Sequence, residues 1–322
     1  MSARSTLSWI TILLVVSLLS ACGGSGTKPG KEQPATPLPA AVIVDRIIEG
    51  PILGVKLSKP WGLAATDDGH LFVTDNGNHR LIEFDQTLTP VRDIGGFGSA
   101  EGFFNRPTYI AVDQQLNILV TDEGNRRLCR FNSRLSYVES ISFYDEEDPL
   151  KFGYPSGIAT TTYGEIWVGD RDNDRIAVFS NVGSFDRFVG DFGYSGGQVI
   201  SPEAIRIAPA DEFLVCDGGN GRLVFYDEYG NFEREMIDNY LEYPISAAPS
   251  GNRWWVVDGS TGRIILISDR GKVLFEIIGQ PMGTSRPLAH PSDIAVLPGN
   301  RLAIADTGNN RILICKIVRD QE

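Results

Sequence analysis

One short pattern recurs six times along this chain of 322 residues, and it limits the fold more than any other feature. In each copy an aspartate is followed, after four residues rich in Gly and Asn, by an arginine. The six pairs are Asp75 and Arg80, Asp122 and Arg127, Asp170 and Arg175, Asp217 and Arg222, Asp258 and Arg263, and Asp306 and Arg311. Most copies stand about 47 residues apart, a period that indicates a repeat architecture.

Each unit has the pattern of a small antiparallel sheet. A proline lies upstream of every pair, at Pro60, Pro107, Pro155, Pro202, Pro244 and Pro291. Between Pro107 and Phe131 the runs "IAV", "NILVTD" and "RLCRF" are short, β-rich and separated by turn residues. A fourth run such as "SYVESISF" or "FDRFVG" follows the unit. The pattern therefore predicts four antiparallel strands of about five residues per unit.

The repeated Asp and Arg are predicted to lie at the two ends of a tight hairpin between the second and third strands. We expect the Gly and Asn residues between them to supply the positive φ angles that such turns need. The arginine can reach back across the hairpin to the carboxylate. A catalytic site needs one asymmetric arrangement, so a pair repeated six times indicates a structural role.

The ends of the chain predict how the sheets close. Six units account for residues 41–322, but the last unit ends in "RILICKIVRDQE", which leaves no room for a full fourth strand. The segment Ala41–Gly50, "AVIVDRIIEG", resembles the fourth strand "KVLFEIIG" at Lys272–Gly279. We expect the N-terminal strand to complete the last unit and remove its exposed edge. The prediction is an all-β, six-bladed β-propeller with four-stranded antiparallel blades.

The residues before the repeats have the pattern of an export signal and a tether. An apolar run from Leu7 to Ser20 precedes Cys22, and "LSAC" resembles the lipobox of bacterial lipoproteins. The resemblance implies a signal peptide at residues 1–21 and acylation of Cys22. Residues 22–40 then form an anchored, disordered tether rich in Gly, Pro and polar residues. Gly23 in place of an aspartate favours the outer over the inner membrane. We expect a lipid-anchored protein of the bacterial cell envelope.

The repeated pattern of Pro, "IAV", Gly, "IxVxD", Asn and "RIxxF" resembles that of NHL repeats, and the likeness covers all six units. The fifth unit departs most, with Thr261 in place of the asparagine. NHL repeats build six-bladed propellers that mostly act as binding platforms. Six-bladed relatives include peptidyl-amidating lyases and gluconolactonase-like hydrolases, so the resemblance leaves an enzyme open as the alternative.

The channel positions predict no resident metal or other cofactor. In the lyase relatives, histidines just after such prolines bind zinc, whereas His70, His79 and His290 all lie elsewhere. Glu203 and Asp293 are the only acids in the two positions after the prolines, too few for a calcium cage. The run "DRDND" from Asp170 resembles half a calcium loop but has Arg175 where that loop needs glycine.

One channel residue breaks the repeat. Four residues after each proline stands an alanine, except for Arg206 in the fourth unit. A buried arginine needs a partner, for which Glu203 is a candidate, although their spacing points the two side chains to opposite faces of a strand. A structural pair in the channel wall and an anion-binding arginine at the channel mouth both remain open. The candidate binding residues are Trp61, Tyr109, Glu203, Arg206 and Asp293.

Charge and cysteine content limit the partners. The net charge of −12 predicts repulsion from nucleic acid. Cys129, Cys216 and Cys315 fall in strand-like segments of alternate units, so we expect buried thiols and no disulfides. The connections at 143–154 and 190–201 mix aromatic and acidic residues and are candidates for contact with a partner. We expect a binding or scaffold module for an envelope protein or glycan, and the alternative is a propeller lyase or lactone hydrolase with a site at the channel mouth.

Overall fold

The computed structural model describes residues 37–143, 152–207, 212–237 and 240–319. The chain divides into two units, Met1–Thr36 and Pro37–Glu322, and the fold belongs to the second. Cys22, the predicted signal peptide, most of the tether and the acidic run at 145–148 lie outside the described residues. Within those ranges, the helices are too short and too polar to cross a lipid bilayer.

The first strand of the chain is the outer strand of the last sheet. β1 spans Pro39–Ile48 and starts two residues before the predicted boundary at residue 41. A two-stranded ribbon follows, formed by β2 (Pro51–Ile52) and β3 (Val55–Lys56). The ribbon lies in the connection that leads into the first blade.

Five four-stranded antiparallel blades then follow in chain order. Blade 1 contains β4 (Pro60–Ala65), β5 (Leu71–Asp75), β6 (Arg80–Phe84) and β7 (Pro90–Gly95). Blade 2 contains β8 (Pro107–Val112), β9 (Ile118–Asp122), β10 (Arg127–Phe131) and β11 (Tyr137–Ser142). Blade 3 contains β12 (Pro155–Thr160), β13 (Ile166–Asp170), β14 (Arg175–Phe179) and β15 (Phe185–Val189). Blade 4 contains β16 (Pro202–Ile207), β17 (Phe213–Asp217), β18 (Arg222–Tyr226) and β19 (Phe232–Ile237). Blade 5 contains β20 (Pro244–Ser250), β21 (Arg253–Asp258), β22 (Arg263–Ser268) and β23 (Val273–Ile277).

Blade 6 closes the ring. It contains β24 (Pro291–Leu297), β25 (Arg301–Asp306) and β26 (Arg311–Arg319), and β1 pairs antiparallel with β26. The register places Ile48 opposite Ile312 and Val42 opposite Ile317. The prediction that an N-terminal strand completes the last blade is therefore confirmed, as is the six-bladed propeller of four-stranded blades. Because β1 pairs with β26, the edge of β26 is covered, and strands from both ends of the chain close the ring in one blade.

The core lies between neighbouring blades. The first strands of the six blades pack side by side around a central channel. The second strands of blades 1–4 are buried along their whole length, since each is covered by a blade on either side. Trp167 of blade 3 stacks on Phe213 of blade 4 with ring centroids 3.8 Å apart. Short apolar runs such as "LFV" at the start of Leu71–Asp75 follow from this two-sided burial.

The propeller has two faces that differ in their connections. The hairpins between second and third strands share one face with the connections between blades, and we call this the hairpin face. The turns between first and second strands, and between third and fourth strands, lie on the opposite face. Short 3-10 helices form the hairpins at Asn76–Asn78, Glu123–Asn125, Arg171–Asn173, Gly218–Asn220 and Thr307–Asn309.

Candidate functional site

The repeated aspartate and arginine join each hairpin to the connection that enters its blade. In blade 1, Asp75 Oδ2 accepts hydrogen bonds from Arg80 Nε at 2.8 Å and from Asn78 Nδ2 at 2.7 Å. Asp75 Oδ1 accepts the backbone N–H of Ser58 at 2.8 Å. The Arg80 guanidinium also donates to two carbonyls of the incoming ribbon. The pair therefore uses its hydrogen bonds internally to hold the blade to its connection.

The same ion pair is present in all six blades, and its quality varies. The Nε–Oδ2 distances in blades 1, 2, 3, 4 and 6 lie between 2.6 and 2.9 Å. In blade 5, Arg263 Nη2 lies 3.3 Å from Asp258 Oδ2, and its Nε donates to Thr261 Oγ1 instead. Thr261, which replaces the asparagine of the other units, thus diverts the arginine from its carboxylate.

The glycine of the hairpin has a different role from the predicted one. The residue in the left-handed region is the fourth of the turn, for example His79 with φ of 57° and Asn310 with φ of 52°. Gly77, in the middle of the turn, has an ordinary φ, and a Cβ there would lie 2.3 Å from Ser58 Oγ. The prediction that the Gly and Asn residues supply the positive φ holds in blades 4, 5 and 6, at Gly221, Gly262 and Asn310, and is wrong in blades 1, 2 and 3, where other residue types take that position. Gly77 is needed for close approach instead, because the incoming connection leaves no room for a side chain there.

A buried polar cluster fills the channel on the side of the hairpin face. Tyr109 of blade 2 reaches across the channel axis to the opposite side of the ring. Its hydroxyl donates to Glu203 Oε2 of blade 4 at 2.8 Å and lies 3.2 Å from the carbonyl oxygen of Ile245 in blade 5. The Tyr243 hydroxyl donates to Glu203 Oε1 at 2.8 Å. Arg171 Nη1 lies 3.9 Å from the same carboxylate. We call this set the tyrosine–glutamate cluster.

Burial dominates the electrostatics of this cluster. It raises the pKa of Glu203, although Arg171 and the hydrogen bonds from the two tyrosines oppose the shift. Burial, reinforced by the Glu203 carboxylate, raises the pKa of Tyr243 to about 12 and that of Tyr109 well above its usual range. Both tyrosines therefore stay protonated near neutral pH and act as hydrogen-bond donors.

A second buried cluster lies further along the channel. Arg206 Nη2 of blade 4 donates to Asp293 Oδ1 of blade 6 at 2.6 Å and to Ser246 Oγ of blade 5 at 3.2 Å. Ser246 Oγ in turn donates to Asp293. Asp293 Oδ2 accepts the backbone N–H of Leu63 in blade 1 at 2.8 Å. One carboxylate thus joins four blades, and we call this set the arginine–aspartate cluster.

Glu203, the candidate partner for Arg206, is not its partner in the structure. The carboxylate that pairs with Arg206 is Asp293, whereas Glu203 bonds to tyrosines at the other end of the channel. Side chains three residues apart on an extended strand point to opposite faces, so Glu203 and Arg206 cannot meet. Arg206 lines the cavity at the end of the channel away from the hairpin face.

Beyond the arginine–aspartate cluster the channel widens into a cavity of about 450 Å³. Its walls are the last residues of the six first strands, mostly Ala, Ile and Val, together with Arg206. Asp67, in the turn between the first and second strands of blade 1, also lines it. The cavity therefore lies on the side of the channel away from the hairpin face.

Trp61 takes part in neither cluster. Its backbone carbonyl accepts a hydrogen bond from Ser292 Oγ at 2.8 Å. Its indole N–H is buried and has no acceptor among the residues that the structure describes. Sequence reasoning missed Tyr243, Ser246 and Arg171. Ser246 occupies the same second position after proline as Tyr109 and Asp293, a signal passed over because only acids were compared there.

The side chains of the described residues do not form a metal-binding site. No group of three or more His, Cys, Asp and Glu side chains within those ranges is arranged to hold a metal ion. Cys129, Cys216 and Cys315 lie buried as free thiols in blades 2, 4 and 6. Burial raises the pKa of the Cys129 thiol to about 12.

The connections on the hairpin face carry exposed apolar side chains. Phe97 is 73% exposed, Phe192 is 62% exposed and Tyr194 is 74% exposed. The Phe97 ring lies against His79 of the blade 1 hairpin, with ring centroids 5.1 Å apart. Smaller exposed apolar residues lie in two further connections, at Leu53, Val55, Ile278 and Met282. We call these seven residues the apolar rim.

The closed ring of six four-stranded blades places this chain among the six-bladed β-propellers. Residues 57–84, 152–179 and 288–315 match the family described as NHL repeat, which supports an NHL-repeat six-bladed propeller. A stretch of 127 residues is 27% identical to Protein brain tumor of Drosophila melanogaster. The match covers 38% of this chain and 12% of that protein.

Solved structures share the fold at low sequence identity. A streptogramin B lyase has a TM-score of 0.60 and 16% identity, with 81% of this chain and 94% of that chain covered. A virginiamycin B lyase from Staphylococcus aureus, solved with quinupristin, has a TM-score of 0.58 over 82% of this chain and 85% of that one, also at 16% identity. A chain of the nidogen/laminin complex has a TM-score of 0.56 and 18% identity over 70% of this chain and 82% of that one. At these identities the likeness concerns the fold alone.

Proposed function

We propose that this protein is a binding module of the bacterial cell envelope that docks a partner protein on its hairpin face. The observation that carries the proposal is the apolar rim, whose seven exposed apolar side chains outnumber those in the turns of the opposite face, at Leu116, Tyr163, Val182 and Tyr229. Aromatic side chains such as Phe97, Phe192 and Tyr194 also provide much of the affinity at protein interfaces.

The channel beneath the rim supports docking on the surface. The tyrosine–glutamate cluster fills the channel at this face, with Tyr109 and Glu203 almost fully buried. Their polar atoms bond to each other and to neighbouring blades. A partner would therefore rest on the connections between blades rather than insert a group into the channel.

A protein suits the rim better than a glycan. Leu53, Val55, Ile278 and Met282 are aliphatic or thioether side chains, which pack against apolar protein side chains. Sugar recognition instead combines an aromatic ring with hydrogen-bonding groups for the hydroxyls. The net charge of −12 disfavours nucleic acid as the partner.

The envelope location rests on the sequence before the propeller. The lipobox-like "LSAC" favours acylation of Cys22, and the polar residues 23–40 would serve as the tether. With more than one acyl chain at Cys22 the anchor would be stable, and the lack of an aspartate at Gly23 favours the outer membrane. Fractionation of cells that carry Cys22→Ser would test the anchor separately, and we expect the variant to lose its association with the membrane.

The lyase structures do not bring their activity to this chain, since 16% identity supports the fold only. The nidogen/laminin structure, at 18% identity, likewise supports the fold only, so the proposal of binding rests on the apolar rim.

Site-specific photo-crosslinking in intact cells tests the docking face. p-Benzoylphenylalanine replaces Phe192 on the hairpin face, or Val182 on the opposite face, which is 72% exposed and so equally accessible. We expect a protease-sensitive covalent adduct from position 192 only. Phe97→Ser should weaken that adduct, whereas Val91→Ser on an outer strand should leave it unchanged. Adducts of equal yield from both positions, or an adduct that a glycosidase removes and a protease does not, would contradict docking of a protein here.

A further inference from the structure

The cavity at the far end of the channel has the composition of a small-molecule site. Its apolar wall is contributed by all six blades, through residues such as Ile110, Ile158 and Ile294. The alanines four residues after each proline keep the centre open, because a larger side chain there would fill it. At roughly 30 Å³ per water-sized group, the volume of about 450 Å³ would hold about 15 non-hydrogen atoms.

Three polar side chains line this cavity among its aliphatic ones, those of Arg206, Asp67 and Thr160. Arg206 stands where the other five blades have alanine, and it lines the cavity. Its Nη2 bonds to Asp293 and Ser246, and its Nη1 donates once, to the Ile205 carbonyl at 3.1 Å. Over the described ranges, the Nε–H and the second Nη1 hydrogen have no acceptor. The guanidinium therefore keeps donors for a bound oxygen.

The charge balance selects the kind of ligand. Asp293 is fully buried and lies 2.6 Å from Arg206, so the pair is close to neutral as a unit. A ligand anion would add an uncompensated negative charge beside the buried Asp293, which is costly. Asp67 at the cavity would repel it further. An uncharged oxygen acceptor can bond to the free donors without that cost.

We propose that the cavity binds an uncharged, mainly apolar small molecule that carries one carbonyl-type oxygen, which accepts a hydrogen bond from Arg206. The site lies on the opposite face from the apolar rim, so it is a second binding function and not a part of the docking surface. Failure of either proposal leaves the other standing, because their test residues do not overlap.

The probe for this site is 6-propionyl-2-(dimethylamino)naphthalene, an uncharged fluorophore with one ketone whose emission moves to shorter wavelength in apolar surroundings. Titrated into the full chain, it should bind once per molecule with blue-shifted emission. Ala111→Phe, which fills part of the cavity and leaves Arg206 in the sequence, should abolish this binding. Ala64→Phe on another blade is the second blocking variant, used if the first does not fold.

The donor role of Arg206 needs a variant that leaves no buried charge. Arg206→Met combined with Asp293→Asn removes the ion pair while keeping an acceptor for the Leu63 N–H. We expect this double variant to bind the probe about tenfold more weakly, because it lacks one hydrogen bond from a charged donor. Phe232→Ala, in an outer groove between blades 3 and 4, is the matched control and should bind normally.

Four results would overturn the proposal. The first is a lack of saturable binding by the wild-type chain, and the second is binding that survives in a folded cavity-blocking variant. The third is tighter binding of the anionic dye 1-anilinonaphthalene-8-sulfonate than of the uncharged probe at the same site, which would assign the cavity to anions. Unchanged affinity in the double variant would remove Arg206 from the site.

Discussion

Replacing Tyr109 by phenylalanine tests whether the tyrosine–glutamate cluster holds the ring together across the channel. The change removes one hydroxyl and keeps the ring that spans from blade 2 to blades 4 and 5. The lost hydrogen bond is the one to Glu203 Oε2, at 2.8 Å, between two side chains that are almost fully buried. The carboxylate keeps the Tyr243 hydroxyl and the more distant Arg171 as partners.

The expected cost depends on pH. When Glu203 is ionised, a hydrogen bond to a charged group contributes about 1.5–3 kcal/mol, and when it is protonated a neutral bond contributes about 1 kcal/mol. Burial already raises the pKa of Glu203, and removing a donor to the charged form raises it further. A carboxyl whose folded pKa lies above its unfolded pKa lowers stability as pH rises between the two values. The variant should therefore lose more stability at pH 8 than at pH 5.

Urea unfolding at both pH values measures this difference. Tyr137→Phe is the matched control, since its hydroxyl bonds only to Ser140 Oγ at 3.1 Å on a partly exposed outer strand, and it should cost less than about 0.5 kcal/mol. A cost for Tyr109→Phe below about 0.5 kcal/mol at pH 8, or an equal cost at pH 5 and pH 8, would refute the claim that this hydroxyl stabilises an ionisable carboxylate in the channel.

Three further predictions follow from the hairpins and the core. Arg311→Met should destabilise the fold by about 3 kcal/mol, because it leaves the buried Asp306 without its ion-pair partner. Arg263→Met should destabilise the fold less, because the ion pair between Arg263 and Asp258 is longer. Equal melting temperatures for the two variants would contradict this. Gly157→Ala should cost about 1–3 kcal/mol in urea unfolding, since its Cβ would lie 2.1 Å from the Glu203 carbonyl oxygen, and a neutral effect would refute that packing. Cys216 should react with a maleimide only in urea, because burial raises its thiol pKa and blocks access; labelling of the native protein, seen by mass spectrometry, would disprove this.

The repeats made the architecture predictable from the sequence. Because the same strands and turns recur at a nearly constant period, the blade count, the order of strands and the closure by Ala41–Gly50 follow from local patterns. The Asp75 and Arg80 pair lies within six residues, so its contact is also a local property. The role of Gly77 could not be predicted locally, because it depends on how closely the incoming connection packs against the hairpin.

The channel contacts could not be predicted in the same way. Arg206 meets Asp293 from two blades away, and Tyr109 meets Glu203 and Ile245 across the ring axis. Such contacts depend on the diameter of the closed ring and on side-chain length, neither of which the repeat period contains. The exposure of Phe97 and Phe192 is likewise a property of how each connection folds over its hairpin.

Hydroxyl-radical footprinting of the protein in intact envelopes, compared with the purified chain, tests the central claim most directly. Phe97, Phe192 and Tyr194 report on the hairpin face. Tyr163, 82% exposed, and Tyr229, 70% exposed, lie in turns on the opposite face and serve as internal controls. If a partner docks on the apolar rim, oxidation of the first three should fall in the envelope while that of the two control tyrosines stays the same. Equal oxidation of all five in both samples, or protection of the two control tyrosines alone, would contradict a docking surface on the hairpin face.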